Sequence, residues 1–152
     1  MEVEEIMSGA TGRIRVLVAD DHPVVRAGLA AVIAEQTGMV LVALAENGER
    51  AVALFREHRP DVVLMDLCMP VMDGVGAIRA ITAEFPAARI LALTTYEGDA
   101  DIRRALEAGA RGYLLKDMLL TEVITAVHAV RRGERLIPAS VAARLRGPIH
   151  LD

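Results

Sequence analysis

The chain has 152 residues, a net charge of −4, one cysteine, no tryptophan, two tyrosines and two phenylalanines, with 53% of residues apolar. That length suits one domain with a real core and not two full domains, while the acidic balance and scarce rings argue against a phosphate-tracking or base-stacking surface. A lone Cys68 excludes an internal disulfide and a cysteine-rich zinc site and fits a reducing cytoplasm, and no apolar run approaches the ~20 residues that span a bilayer.

Residues 1–12 open with Glu2, Glu4 and Glu5, unlike the basic start of a secretory signal, so a disordered leader is expected there. After Gly12 two textures alternate. Aliphatic runs at 15–19, 39–43, 61–65, 89–93 and 112–115 show no apolar–polar alternation, which predicts strands buried on both faces of a parallel sheet. Between them, helical spacing predicts five helices. The segment 23–35 brings Val25, Leu29, Val32 and Ile33 to one face, with Pro23 in its first turn. The segment 47–57 carries Ala51, Leu54 and Phe55, and 74–84 carries Ile78 and Ile81 and stops before Pro86. The segment 99–108 carries Ile102, Ala105 and Leu106 and ends at Gly109. The segment 121–131 carries Val123, Ile124, Val127 and Val130, with Thr121 as its cap and Gly133 beyond its end. Five βα repeats imply an α/β fold: a five-stranded, doubly wound parallel sheet with right-handed crossovers. Residues 13–133 form this domain. Residues 134–152 are expected to be a linker or the start of an interdomain helix, with 138–145 as one more short helix.

Open α/β sheets bind ligands beyond the carboxyl ends of their strands. Those ends carry Asp20-Asp21, Asp66, Thr94-Thr95 and Lys116. Each alone is ordinary: aspartate favours caps and turns, and a lysine is usually solvated. Together they place three carboxylates, a hydroxyl and an ammonium at one edge. Crowded carboxylates repel unless a cation joins them, and oxygen donors favour Mg²⁺ or Mn²⁺. A metal, a lysine and a carboxylate nucleophile suit phosphoryl transfer. Other features point nowhere in particular. Gly74-Val75-Gly76 begins a dinucleotide fingerprint, but Arg79 stands where its third glycine belongs. His22 is expected to serve the loop or helix start, and His58, His128 and His150 have no partner at metal-ligand spacing. Arg131, Arg132 and Arg135 complement a helix end.

The acid pair in VADDHPVVRAGL, the central MDLCMPVMDG, the LTT after the fourth strand and GYLLKD together resemble the receiver domain of bacterial two-component response regulators, over about residues 13–133. DDHPVVRAGL and GYLLKD look most like the subfamily with a LuxR-type helix-turn-helix output. The resemblance implies a flavodoxin-like (βα)5 fold with Asp66 as phosphoacceptor. It implies a Mg²⁺ site, Mn²⁺ being possible, made by Asp21 directly, Asp20 chiefly through water, Asp66, and the main-chain carbonyl of Cys68. Thr94 and Tyr113 take the switch positions, Lys116 binds a phosphoryl oxygen, and Pro70, Asp73 and Gly74 shape the loop after the phosphoacceptor. Cys68 departs from the polar residue common two places after the phosphoacceptor. The implied partners are a sensor histidine kinase and a second copy in a phosphorylation-linked homodimer, with DNA reached only through an output domain not in these 152 residues and with no membrane. The apolar residues of the first and fifth helices could supply the dimer surface or face the core. The protein would be a cytoplasmic signalling switch that catalyses its own phosphotransfer and dephosphorylation, not a turnover enzyme. The competing reading is a Mg²⁺-dependent phosphatase or phosphotransferase, which needs a substrate pocket that five short loops leave little room for.

Overall fold

A computed structural model describes residues 13–94, 99–116 and 120–137. The expected leader and the helix at 138–145 lie outside the described residues. The elements run β1 (Ile14–Ala19), α1 (Pro23–Ala34), β2 (Met39–Ala45), α2 (Gly48–His58), β3 (Val62–Asp66), α3 (Gly74–Glu84), β4 (Ile90–Thr94), α4 (Asp99–Ala108), β5 (Gly112–Leu115) and α5 (Leu120–Arg131). All pairings are parallel and the sheet order is β2-β1-β3-β4-β5. This is the expected doubly wound (βα)5 arrangement.

Side chains of successive strand residues go to opposite faces, and both faces are apolar. Leu17, Val63, Met65, Ile90, Ala92 and Tyr113 pack with α2, α3 and α4 residues such as Phe55, Ile78 and Ile102. Val16, Val18, Leu64, Leu91, Leu93 and Leu114 pack with Leu29 and Ile33 of α1 and Val123, Val127 and Val130 of α5. The apolar faces of α1 and α5 are therefore mainly core, but Val24 (83% exposed) and Leu120 (43%) stay outside it. β3 and β4 are buried throughout, whereas β2 is only half-buried because it lies at the sheet edge.

The helix ends differ in detail from expectation. Asn47 lies outside α2 and caps it, its side chain accepting from the Arg50 amide. Thr121 lies inside the first turn of α5, which begins at Leu120, so it is not the cap. Pro23 opens α1 as expected, at a position that needs no amide donor. β3 ends at Asp66 and β4 reaches Thr94, the strand ends where those two residues are expected, while Thr95 lies outside the described residues.

Candidate functional site

Register fixes where the site forms. Ala19 pairs with Met65 and Asp66 with Leu93, so Asp20 emerges beside Asp66 at the carboxyl edge. The sheet turns from β1 toward β2 on one side and toward β3 on the other, and the crevice between β1 and β3 is its topological switch point. Asp20 and Asp66 are 0% and 1% exposed. The Lys116 ammonium bridges them, 2.7 Å from Asp20 Oδ2 and 3.1 Å from Asp66 Oδ2. It is delivered from β5, where the Lys116 amide donates to the Thr94 carbonyl (2.7 Å). Asp66 Oδ1 accepts from the Cys68 amide at 3.2 Å. The acidic pair is held from α1: Arg26 donates to the Asp20 carbonyl at 2.7 Å, and the His22 amide donates to Asp20 Oδ1 at 2.8 Å.

The loop after β3 is clamped. The Gly74 amide donates to the Leu67 carbonyl (3.0 Å), and a Cβ at Gly74 would run into the Asp66 carbonyl. Asp73 caps α3, accepting from the Gly76 amide at 2.8 Å. The Pro70 carbonyl accepts from the Met72 amide, closing a tight turn about Val71, whose φ of 69° is unusual for a β-branched residue. Pro70, Asp73 and Gly74 thus shape the loop, and none supplies a side chain to the acidic cluster. On the other flank Thr94 is 4% exposed and Tyr113 is fully buried. Their hydroxyls are hydrogen-bonded, and burial pushes the tyrosine up to about 12 despite that bond.

Residues 16–128 match the family described as the response regulator receiver domain. The chain belongs to that family. It is 39% identical over 132 residues to the transcriptional regulatory protein LnrK of Bacillus subtilis, covering 87% of this chain and 60% of that protein. It is 36% identical over 133 residues to the response regulator VraR of Staphylococcus aureus, covering 88% and 64%. The chain therefore spans about three-fifths of the length of these relatives. Among solved structures, a LuxR-family two-component response regulator from Aurantimonas superposes with a TM-score of 0.83 at 36% identity, covering 91% of this chain and 99% of that one. The isolated receiver domain of RcsB from Salmonella enterica, solved with the phosphomimetic BeF3−, superposes with a TM-score of 0.77 at 28% identity, covering 88% and 98%.

In this receiver the electrostatics are in conflict. Burial first, and then the Asp20 charge, raise the pKa of Asp66 above that of an ordinary aspartate; Lys116 and the Cys68 amide oppose this without cancelling it. Burial works against the Lys116 ammonium, but its contact with Asp20 and the charges of Asp66 and Asp20 outweigh burial and raise its pKa. Three carboxylates face one ammonium, and the buried oxygens Asp20 Oδ2, Asp21 Oδ1 and Asp66 Oδ2 make no regular hydrogen bond beyond these ion pairs. An acidic, oxygen-rich cluster short of positive charge fits a hard divalent cation. Donor atoms of Asp20, Asp21, His22 and Asp66 all lie within 4.8 Å of one another.

His22 follows the acid pair in sequence and is expected to serve the loop or helix start in preference to ligating a metal. It does stand at the N-cap of α1, without a side-chain capping bond. Its Nδ1 also lies 3.1 Å from Asp20 Oδ1, 3.2 Å from Asp21 Oδ1 and 3.4 Å from Lys116 Nζ. Its place directly after the acid pair was the available signal. Cys68 is exposed, and its thiol is not among the gathered donors; desolvation and the Asp66 charge raise its pKa, which disfavours a thiolate.

Proposed function

We propose that this receiver is a phosphorylation-activated switch in which Asp66 takes a phosphoryl group from a sensor histidine kinase. The observation that carries this reading is the Lys116 ammonium spanning Asp20 and Asp66 at the switch point of the sheet. A carboxylate oxygen of Asp66 attacks phosphorus as the donor's phosphorus–nitrogen bond breaks, and the departing imidazole leaves with the electron pair. Lys116 follows the charge onto a phosphoryl oxygen, and the Cys68 amide holds the other carboxylate oxygen in line. Asp21, Asp66, the Cys68 carbonyl and, through water, Asp20 would hold Mg²⁺ or Mn²⁺, which would supply positive charge to offset that on the phosphoryl oxygens.

Thr94 then relays the event. A hydroxyl has one proton to donate. Donated to a phosphoryl oxygen, it must rearrange its bond with Tyr113, so the phosphorylated and free states favour different arrangements of the pair. Hydrolysis of the acyl phosphate resets the switch, and the weakly hydrogen-bonding thiol of Cys68 does little to orient the attacking water. The kinase, a phosphorylation-linked second copy and an output domain that meets DNA complete the proposal, with the cytoplasm as its setting. Among the described residues no helix is long and apolar enough to cross a membrane.

The test is incubation with a small phosphodonor and Mg²⁺ followed by intact-mass analysis. One phosphoryl group per chain is expected, absent in Asp66→Asn and in EDTA. Full labelling of Asp66→Asn would overturn the assignment, and turnover of many donor equivalents would favour a small-molecule phosphatase.

A further inference from the structure

The two helices that flank β5 end alike. In α4 the Gly109 amide donates to Leu106 and the Ala110 amide to Ala105; in α5 the Gly133 amide donates to Val130 and the Glu134 amide to Ala129. Gly109 and Gly133 have φ of 124° and 96°. Both are the paired-bond termini that reverse a chain after a helix. The first delivers the chain into β5. The second delivers residues 134–137 to the outer edge of β5, in the place a sixth parallel strand would take.

Three features hold that segment there. The Leu136 amide donates to the Arg111 carbonyl (2.8 Å) and the Tyr113 amide donates to the Leu136 carbonyl (3.1 Å), with Gly112 and Leu136 forming a parallel bridge. Gly112 makes room for it, because a Cβ there would run into the Leu136 carbonyl and the Leu91 side chain. Ile137 packs on the core cluster that contains the Tyr113 ring, while Leu136 packs on the opposite cluster. Tyr113 thus faces two ways: its hydroxyl is bonded to Thr94, and its amide is bonded to the segment.

We infer that residues 134–137 are a clasp on the edge of β5 that passes the state of Tyr113 to the polypeptide following it. The inference rests on the switch role proposed for Thr94 and Tyr113. The clasp has two main-chain bonds and two apolar side chains, Leu136 and Ile137, few enough interactions to be biased by repacking of a single ring, since a net hydrogen bond is worth about 1 kcal/mol. Movement of Tyr113 alters the cluster on which Ile137 packs and strains the bond to Leu136 at the same time.

Amide spectra of the ¹⁵N-labelled chain, with Mg²⁺ and with or without acetyl phosphate, test this. Leu136 and Ile137 are expected to shift together with Thr94 and Tyr113, in proportion to the phosphorylated fraction measured by mass. Thr94→Ala should still be labelled while Leu136 and Ile137 stay put. Leu136→Pro, which removes one edge donor, should be labelled as usual and keep the Thr94 response, while the Tyr113 amide exchanges with solvent about fivefold faster. Ile137→Ala keeps the backbone bonds and should reduce the Leu136 response. A Thr94 shift with Leu136 and Ile137 silent would overturn the clasp, as would their undiminished shift in Thr94→Ala. No phosphoryl group on Asp66 by mass would overturn the proposed phosphorylation of Asp66 instead, and the clasp's signalling role with it.

Discussion

The β1/β3 crevice, at the carboxyl ends of the strands, and the outer β4/β5 pair, whose bonds to Leu136 lie at the start of β5, are built on different physics. The crevice is ionic: Asp20 and Asp66 share one ammonium with Asp21 close beside them, and burial raises the cost of the charges on Asp20 and Asp66. The edge is neutral: a hydroxyl pair, a buried ring and two main-chain bonds to Leu136. A frustrated charge cluster binds a cation or phosphoryl group strongly because the ligand relieves the conflict. A neutral hydroxyl pair can rearrange at little cost because no charge is left unpaired. The contrast separates capture from response, and Lys116 and Thr94 are where the two regions meet, through the Lys116 amide on the Thr94 carbonyl.

The largest expected effect comes from removing the shared ammonium. Lys116→Met leaves Asp20 and Asp66 buried without their shared ammonium, and the metal-free protein should lose about 3 kcal/mol at neutral pH. The folded pKa of Lys116 lies above its unfolded value, so its contribution is present throughout neutral pH and is lost only at alkaline pH. The same variant should bind Mg²⁺ more tightly, because one positive charge has gone. Urea titrations with and without Mg²⁺ check both, and a Lys116→Met chain as stable as the parent would show the crevice is not under ionic tension.

Asp66→Asn should act in the opposite direction. The folded chain holds a proton on Asp66 more readily than the unfolded chain, so its ionisation lowers stability as pH rises from the ordinary aspartate range through its raised pKa. The amide removes that fall and should stabilise the metal-free protein at pH 7 by roughly 1 kcal/mol. A stability–pH profile of the two chains is the measurement; a less stable Asn variant at neutral pH would reverse the argument.

On the neutral side, Tyr113→Phe removes one hydroxyl beside buried Thr94 and should cost about 1 kcal/mol. A double-mutant cycle with Thr94→Ala should give a coupling of about 0.5–1.5 kcal/mol that does not change with salt, whereas the effect of Lys116→Met is expected to vary with salt and pH. Salt-sensitive coupling at the hydroxyl pair would erase the distinction between the two regions.

The smallest effect concerns the loop that joins the crevice to α3. Val71 is 75% exposed with a positive φ. Val71→Gly relieves backbone strain of about 1 kcal/mol, offset in part by the entropy glycine adds to the unfolded chain. A gain of a few tenths of a kcal/mol is expected, read from the denaturation midpoint.

Much of this molecule was legible in its sequence. Aliphatic runs without alternation gave strands buried on both faces, and helical spacing placed all five helices, because burial and periodicity are local properties of a chain. The half-exposure of β2 was not legible, since an edge position is a matter of sheet order. Asp20, Asp66 and Lys116 could be named from their positions after strand-like runs, but the 2.7 Å contact between residues 20 and 116 depends on the register of three strand pairs. His22 looked like a helix-start residue because its closeness to Lys116 is a tertiary fact. Residues 134–137 carry no strand pattern, and their pairing with β5 follows from where α5 ends and from the missing side chain at Gly112. The sequence by itself determined the elements and the chemical types at their ends. Only the tertiary structure decided which of those groups share one buried space, because distance across a sheet is set by strand order and register, and neither is written in any one segment.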